Sequence, residues 1–586
     1  MNFGFIGRVC RLAVIGATLL ASASCIQVNE KLGENLIPTD QKWDVFPQED
    51  APLKSIRLQM ADSLSGYSST RFTLGAIKDD VLGTTVKGTT FTLVPVSDTL
   101  DFGKNTEVRG FHFTAARDTL STAYDYQQRI LQNIYVYELK EALDSTVLYA
   151  GEFSSEAMRN KYIDFSTRIT DGVPVYDGGD SLSFEFSKTF AESMVERLKV
   201  ADMDSLSLYL NGDKEKNTKG IPGIYITTDT PAGMGGRYNL FELKISYDSQ
   251  YGYITGNYAE LKIRADYGER TGVDTSFVFL FGPGDFLKNL ESSSNIPQYA
   301  FNTSIHDTQS EYEKDGVVAA KEIFVEGGCG VKPVVKAREI REIVEEQMVA
   351  AGIADITETV INKATIILPY NVSGDYGLLD KFPVILSPTV KLRSSDNKYV
   401  TYAGLTDSSI ASENQGDINR SLSLYSPDIS HHVQEIMKVK KDADYDKNIE
   451  KYDIWFLIMH EEITKSSSSS SAYDDYYNNL MYNSYYNNMM YDPYGYGYGY
   501  GGYGGYGYGG YGGYGGYGYN NYYNYYMMAA YASSYNTTTE ESSIELDKDR
   551  YYRCTLNGPE YSDNIKELPR LRVTFSSPKT AEKAAE

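Results

Sequence analysis

His460-Glu461-Glu462 opens like the helix of a zinc protease, where two imidazoles four residues apart share one face and hold the metal while the glutamate acts as base. The residue four after His460 is Thr464, so the second ligand is missing, and the segment follows an apolar, strand-like run. His431 and His432 are adjacent, hence about 100° apart on a helix, and read as solvated imidazoles at a helix start. The glycines of 231–240 (PAGMGGRYNL) and 326–333 (EGGCGVKP) lack a following GK[ST] and any βαβ pattern, and read as turns needing positive φ. The residues point to no catalytic set, no metal and no cofactor; the expectation is a non-enzyme.

A different chemistry is suggested by six Asp-Ser or Asp-Thr pairs, whose hydroxyl residues are Ser63, Thr99, Thr119, Ser145, Ser181 and Ser205. The pattern resembles the acceptor for O-linked glycans on exported bacterial proteins. Asp-Ser and Asp-Thr also form turns immediately before strands, and both readings stand at this point.

From Ser466 to about Glu540 tyrosine, glycine and asparagine replace almost everything else, and no charged residue occurs between Asp492 and Glu540. Glycine at every second or third position leaves too little aliphatic surface to offset the entropy of ordering, so the block is expected to be disordered. As a flexible chain of about 75 residues it would span roughly 45–50 Å. Its aromatic faces suit many weak contacts to another protein, with Tyr503, Tyr511 and Tyr517 as representative contact points. Tyrosines can also stack on sugars, which keeps a glycan partner in view. The apolar run Asp453–Met459 precedes the block and the strand-like runs 551–556 and 570–575 follow it. It therefore interrupts a folded domain.

The first 24 residues have the form of an export signal. Arg8 and Arg11 supply a basic start, 12–20 an apolar stretch too short to span a bilayer, and Ala21 to Ser24 small residues leading to Cys25. That approach to a cysteine resembles a bacterial lipoprotein cleavage site, with Cys25 as the lipidated first residue. Removal of Arg8 and Arg11 takes the formal charge from −24 to −26, a balance that argues against nucleic-acid binding. With Cys10 lost and Cys25 lipidated, Cys329 and Cys554 remain, either as a disulfide or as plain buried thiols.

The elements are mostly strands. From 70 to 281 short period-two runs rich in Val, Ile, Thr, Tyr and Phe follow one another, among them 70–77, 89–96, 108–115, 133–139, 206–210 and 276–281. These predict a β-sandwich with one helix over 188–198, capped by Ser187. A second region predicts strands at 321–327, 364–369, 382–387 and 453–459, a helix over 338–350, and a helix begun by Ser430 as cap. The expected fold is mainly β: antiparallel, β-sandwich-like domains with a few short helices and the long Tyr/Gly-rich insertion. The division is a signal over 1–24, a lipidated linker over 25–52, a β-rich domain over 53–315 and a second β-rich domain with helices over 316–465. The insertion over 466–540, closing strands over 541–578 and a disordered tail over 579–586 complete it.

Several stretches together resemble a lipoprotein family of the Bacteroidota envelope, domain of unknown function 4270. They are LGENLIP (32–38) soon after the lipoprotein cysteine, LGAIKDDVLG (74–83), YVYEL (135–139), EGGCGV (326–331), INKATIILP (361–369) and LPRLRVTF (568–575), in the family's order. The resemblance implies a mainly β outer-membrane lipoprotein and brings no catalytic residues. It extends the expected role to an interaction or structural subunit of an outer-membrane protein complex, including one that assembles or exports β-barrel proteins. The alternative is a surface glycan-binding lipoprotein. Which leaflet it faces stays open.

Overall fold

The computed structural model describes residues 43–466 and 539–578 apart from short internal stretches, of which 283–299 is the longest. The signal, Cys25, the bulk of the Tyr/Gly block and the tail from 579 lie outside the described residues. The fold is mostly β, built from several antiparallel sheets with a few short helices.

In the first unit the alternating runs become two sheets packed face to face. One carries, in spatial order, Ile163–Arg168, Gln132–Leu139, Ile224–Thr228, Gly83–Phe91, Arg71–Asp79, Gly235–Glu242 and Thr122–Ala123, with Ala300–His306 also paired to Gly83–Phe91. The other carries Ser181–Glu185, Lys104–Ala116, Tyr258–Tyr267, Arg270–Phe281 and Leu93–Pro95. Inward positions of both sheets supply phenylalanines whose rings meet within a sheet, Phe72 with Phe241 at 4.8 Å and Phe113 with Phe184 at 4.6 Å, and across the core, Phe91 with Phe281 at 4.4 Å. Each such pair adds about 0.5–1.5 kcal/mol beyond its buried area.

The helix Lys188–Leu198 closes one end as expected. Ser187 Oγ accepts from the Phe190 N–H at 3.3 Å, and Phe190, Met194, Val195 and Leu198 are buried. Two local expectations differ. The run 89–96 is divided at Thr92 between Gly83–Phe91 in one sheet and Leu93–Pro95 in the other. The run 206–210 is no strand but the helix Leu206–Asn211, because Ser205 Oγ accepts from the Leu208 N–H at 3.4 Å and starts the turn. Its Tyr209 hydroxyl then donates to the Leu93 carbonyl at 2.6 Å, pinning the helix to the sandwich.

The second unit is discontinuous in sequence. One of its sheets runs Trp43–Pro52, Arg570–Pro578, Val360–Pro369, Leu424–Tyr425 and Ile418–Asn419. The other runs Val317–Val318, Ile56–Met60, Val331–Val335, Ile454–Ser466, Ile385–Arg393 and Val400–Gly404, with Thr539–Leu546 added to Ile454–Ser466. Residues 43–60 thus belong here, which corrects both the linker expected over 25–52 and the first-domain boundary at 53. The segment 43–52 holds Pro47 and Pro52, and it is an edge strand whose bulge between Phe46 and Glu49 takes up Pro47.

Helices cover this second core. In Ala337–Ala350 the inward Ile340, Ile343, Val344 and Met348 are buried, and Asp453 holds its start by accepting from the Ala337 N–H at 2.9 Å and Lys336 Nζ at 2.7 Å. The helix Ser430–Lys438 forms as expected but with a different cap. Asp407 accepts from the His431 and His432 N–H groups at 2.8 and 3.1 Å, while Ser430 Oγ accepts from the Ala364 N–H of the neighbouring strand at 2.8 Å. A carboxylate at a helix start also complements the macrodipole.

Candidate functional site

The described strands locate where the Tyr/Gly block departs. Ile454–Ser466 pairs with Ile385–Arg393 only as far as Met459, opposite Ile385. From Met459 to Ser466 it pairs instead with Thr539–Leu546, in a register running from Met459 opposite Leu546 to Ser466 opposite Thr539. The two strands therefore leave the sheet as an antiparallel ribbon, and residues 467–538 connect its two directly opposed ends. Tyr503, Tyr511 and Tyr517 fall within that connection and lie outside the described residues. His460 sits inside the ribbon strand opposite Glu545, so the segment has no helical geometry for an HExxH site.

At the foot of the ribbon the chain is turned by Asp547. Its N–H donates to the Ile458 carbonyl at 2.9 Å, and its carboxylate accepts from the Asp549 and Arg550 N–H groups at 3.2 and 3.1 Å and from the Tyr552 hydroxyl at 2.6 Å. This turn delivers 548–553 into a polar seam between the two units. Lys548 Nζ donates to the Tyr67 carbonyl at 2.8 Å, Tyr551 stacks edge-on against Tyr238 at 5.5 Å, and Arg553 pairs with Asp79 at 2.8 Å.

At the seam's centre the GGCG turn folds around an ammonium group. Lys332 Nζ, fully buried, donates to the carbonyls of Glu326, Gly328 and Gly330 at 2.5, 2.8 and 3.1 Å. Gly328 has φ +54°, which favours glycine, and a Cβ on Gly330 would lie 2.2 Å from Glu326 Oε2 and displace that carboxylate. Burial lowers the Lys332 pKa to about 8, which leaves it charged at neutral pH.

Glu326 reaches from this turn to the first unit. Its Oε1 accepts from Thr85 Oγ1 at 2.9 Å and lies 3.4 Å from His306 Nδ1, which is itself 3.1 Å from Thr85 Oγ1. Ser304 Oγ is 2.9 Å from His306 Nε2. Donors and acceptors balance with a neutral imidazole protonated on Nδ1, donating to Thr85 and accepting from Ser304. Burial holds the His306 pKa down at about 4, partly offset by Glu326. A histidine sealed from solvent and saturated by its neighbours is a joint between units, without access for a substrate.

The residues singled out from sequence are scattered over the two units. Cys329 and Cys554 are both buried free thiols: Cys329 packs with Ala61, Leu64, Trp455 and Leu457, while Cys554 lies in the second unit's main core near Tyr425. The disulfide alternative is not realised, and burial raises both thiol pKa values, which keeps them protonated and unreactive. Ser63 is buried and its hydroxyl donates to Asp62 at 2.8 Å. Ser205 is occupied as a helix cap. Thr119 stands exposed on a turn that Asp118 organises by accepting from the Leu120 N–H at 2.9 Å, and Ser181 is exposed at the start of its strand. Thr99, Ser145 and Cys25 lie outside the described residues. His432 is buried with Nε2 2.8 Å from the Tyr452 carbonyl, against the expected solvated ring, since its helix face turns into the core.

The seam residues Thr85, His306, Glu326 and Lys332 had no motif to mark them; the only sequence signal was the glycine turn between the last two. Set against family models, curated proteins and solved structures, the chain has no match. Among the described residues no helix is long and apolar enough to cross a membrane.

Proposed function

We propose that the chain is a non-enzymatic outer-membrane lipoprotein, lipid-anchored at Cys25, that serves as an interaction or structural subunit of an outer-membrane protein complex. The Tyr/Gly block is its contact element. The observation that carries this reading is the ribbon: a block with no charge between Asp492 and Glu540 joins the ends of two directly opposed strands, in a chain that is otherwise strongly acidic. Redundant aromatic faces on a long connection suit many weak protein contacts. The sequence resemblance adds machinery for assembling or exporting β-barrel proteins as the kind of complex.

Crosslinking in intact cells, followed by affinity purification from detergent-solubilised envelopes, tests it. The full chain should recover outer-membrane proteins that a chain with 467–538 replaced by a short Gly/Ser linker loses. Recovery of the same partners in the same yield would refute the role given to the block.

One observation favours a glycan-binding reading as second. On the outer face of the first unit, Phe165 is 40 % exposed and stands edge-on to Tyr137 at 5.0 Å, with Tyr135 on the same face two residues away. Retention of the protein on polysaccharide, lost in Phe165→Ser, would support that reading over the first.

A further inference from the structure

The edge strand Trp43–Pro52 is where the chain enters the fold, and its two faces differ. On the inner face Phe46 packs on Phe575 at 5.1 Å. On the outer face Val45 lies opposite Ser576, which lies opposite Val360, and Trp43 lies opposite Pro578, so these side chains share one surface. Trp43, Val45 and Val360 are 47 %, 64 % and 46 % exposed, a cluster that sits only at the entry end of the sheet. Further along the strand the surface becomes ionic, with Asp50 accepting from Arg572 at 2.6 Å and Arg570 at 3.1 Å. Around the strand edge lies a groove of about 170 Å³ lined by Phe46, Pro47, Gln347, Ala350, Ala351 and Phe575.

We infer that this outer face, Trp43 with Val45 and Val360, is the membrane-proximal face of the protein and rests in the interfacial layer of a phospholipid bilayer. The inference rests on anchoring at Cys25 and adds to it an orientation. Only residues 26–42 separate that cysteine from Trp43, a contour of at most about 60 Å at full extension. A compact body of about 460 residues has a radius of gyration near 23 Å, hence a diameter of about 60 Å. That is less than the path of about 90 Å half-way around such a body, so the bilayer lies on the side of Trp43, an exposed tryptophan, the residue suited to the headgroup boundary. With no basic cluster among the three face residues and a strongly acidic chain, apolar insertion rather than charge holds the face there.

The protein's two tryptophans make the test direct, because Trp455 is buried in the second unit and Trp43 is exposed. Lipidated full-length protein is placed in phosphatidylcholine vesicles whose acyl chains carry bromine, a contact quencher. Wild type should lose about half of its Trp43 emission with a blue shift, Trp43→Phe should lose none, and the Val45→Asp, Val360→Asp variant should lose little while still floating with the vesicles. Flotation of wild type without quenching overturns the inference and leaves the anchor standing; protection of Trp43 from aqueous iodide without bromine quenching shows the face covered by the chain itself and overturns it too. Failure to float refutes the anchor, and a chain starting at Ile26 behind a polyhistidine tag on nickel-chelating brominated vesicles then reads the face alone. Absence of quenching there overturns the inference.

Discussion

Replacing residues 467–538 by Asn-Gly should make the second unit more stable. The register supplies the design: Ser466 and Thr539 are directly opposed, and a two-residue type I′ turn joins such a pair with the twist the strands already have. The magnitude follows from loop closure. Shortening a connection from 72 residues to two removes about five doublings of length, each worth about 0.6 kcal/mol, or about 3 kcal/mol in all. Fixing the tight turn returns part of that, so a gain of about 2 kcal/mol is expected. Urea unfolding of the Cys25→Ala form reads it through Trp455, which lies on the ribbon's own strand. The denaturant slope discriminates mechanism, because it scales with surface exposed on unfolding. A block that stays solvated in both states leaves the slope unchanged, and the midpoint simply rises. A loss of more than about 1 kcal/mol together with a smaller slope would mean that the block packs on the domain, and the reasoning from closure entropy would be refuted.

Acid should loosen the seam through His306. With a folded pKa of about 4 against 6.5 unfolded, only the unfolded chain takes up this proton between those values, so stability falls as pH drops from 6.5 to 4 and loses about 3 kcal/mol by the end. His306→Asn should flatten the stability profile by one proton in that window, and an unchanged slope would show that other groups carry it. Arg237 is 1 % exposed and spends all five donors on neutral acceptors: Asn239 Oδ1, the Gln128 and Ile130 carbonyls, Gln132 Oε1 and the Tyr176 carbonyl. Arg237→Met orphans several buried acceptors at roughly 1–3 kcal/mol each, so urea unfolding should show a loss of at least about 3 kcal/mol; a loss under about 1 kcal/mol would mean water replaces the guanidinium freely.

What the sequence made legible is what local pattern encodes. Alternation over 108–115, 133–139 and 276–281 placed strands that the sandwich contains, and Ser187 ahead of a four-residue apolar period placed a helix with its cap. Alternation failed where a cap competed with it: Leu206–Asn211 alternates like a strand, yet Ser205 bonds the Leu208 N–H and five residues of alternation do not outweigh that nucleus. The linker expected over 25–52 is an edge strand from Trp43 to Pro52, whose bulge accommodates Pro47. The partner of that strand, Arg570–Pro578, lies more than five hundred residues away, and no local signal reports such a pairing. The seam is hidden for the same reason. Thr85, His306 and the turn that carries Glu326 and Lys332 are distant in sequence, and only folding makes a joint of them. Because the first and last described strands pair with each other, residues 42 and 579 adjoin the same edge of one sheet. The ribbon bearing the Tyr/Gly block leaves from the other sheet of the same unit. The points where residues 42 and 579 and the block 467–538 join the described strands thus all belong to a single folded unit, with the Asp547 turn and the glycine-built joint holding the ribbon's foot against the first sandwich.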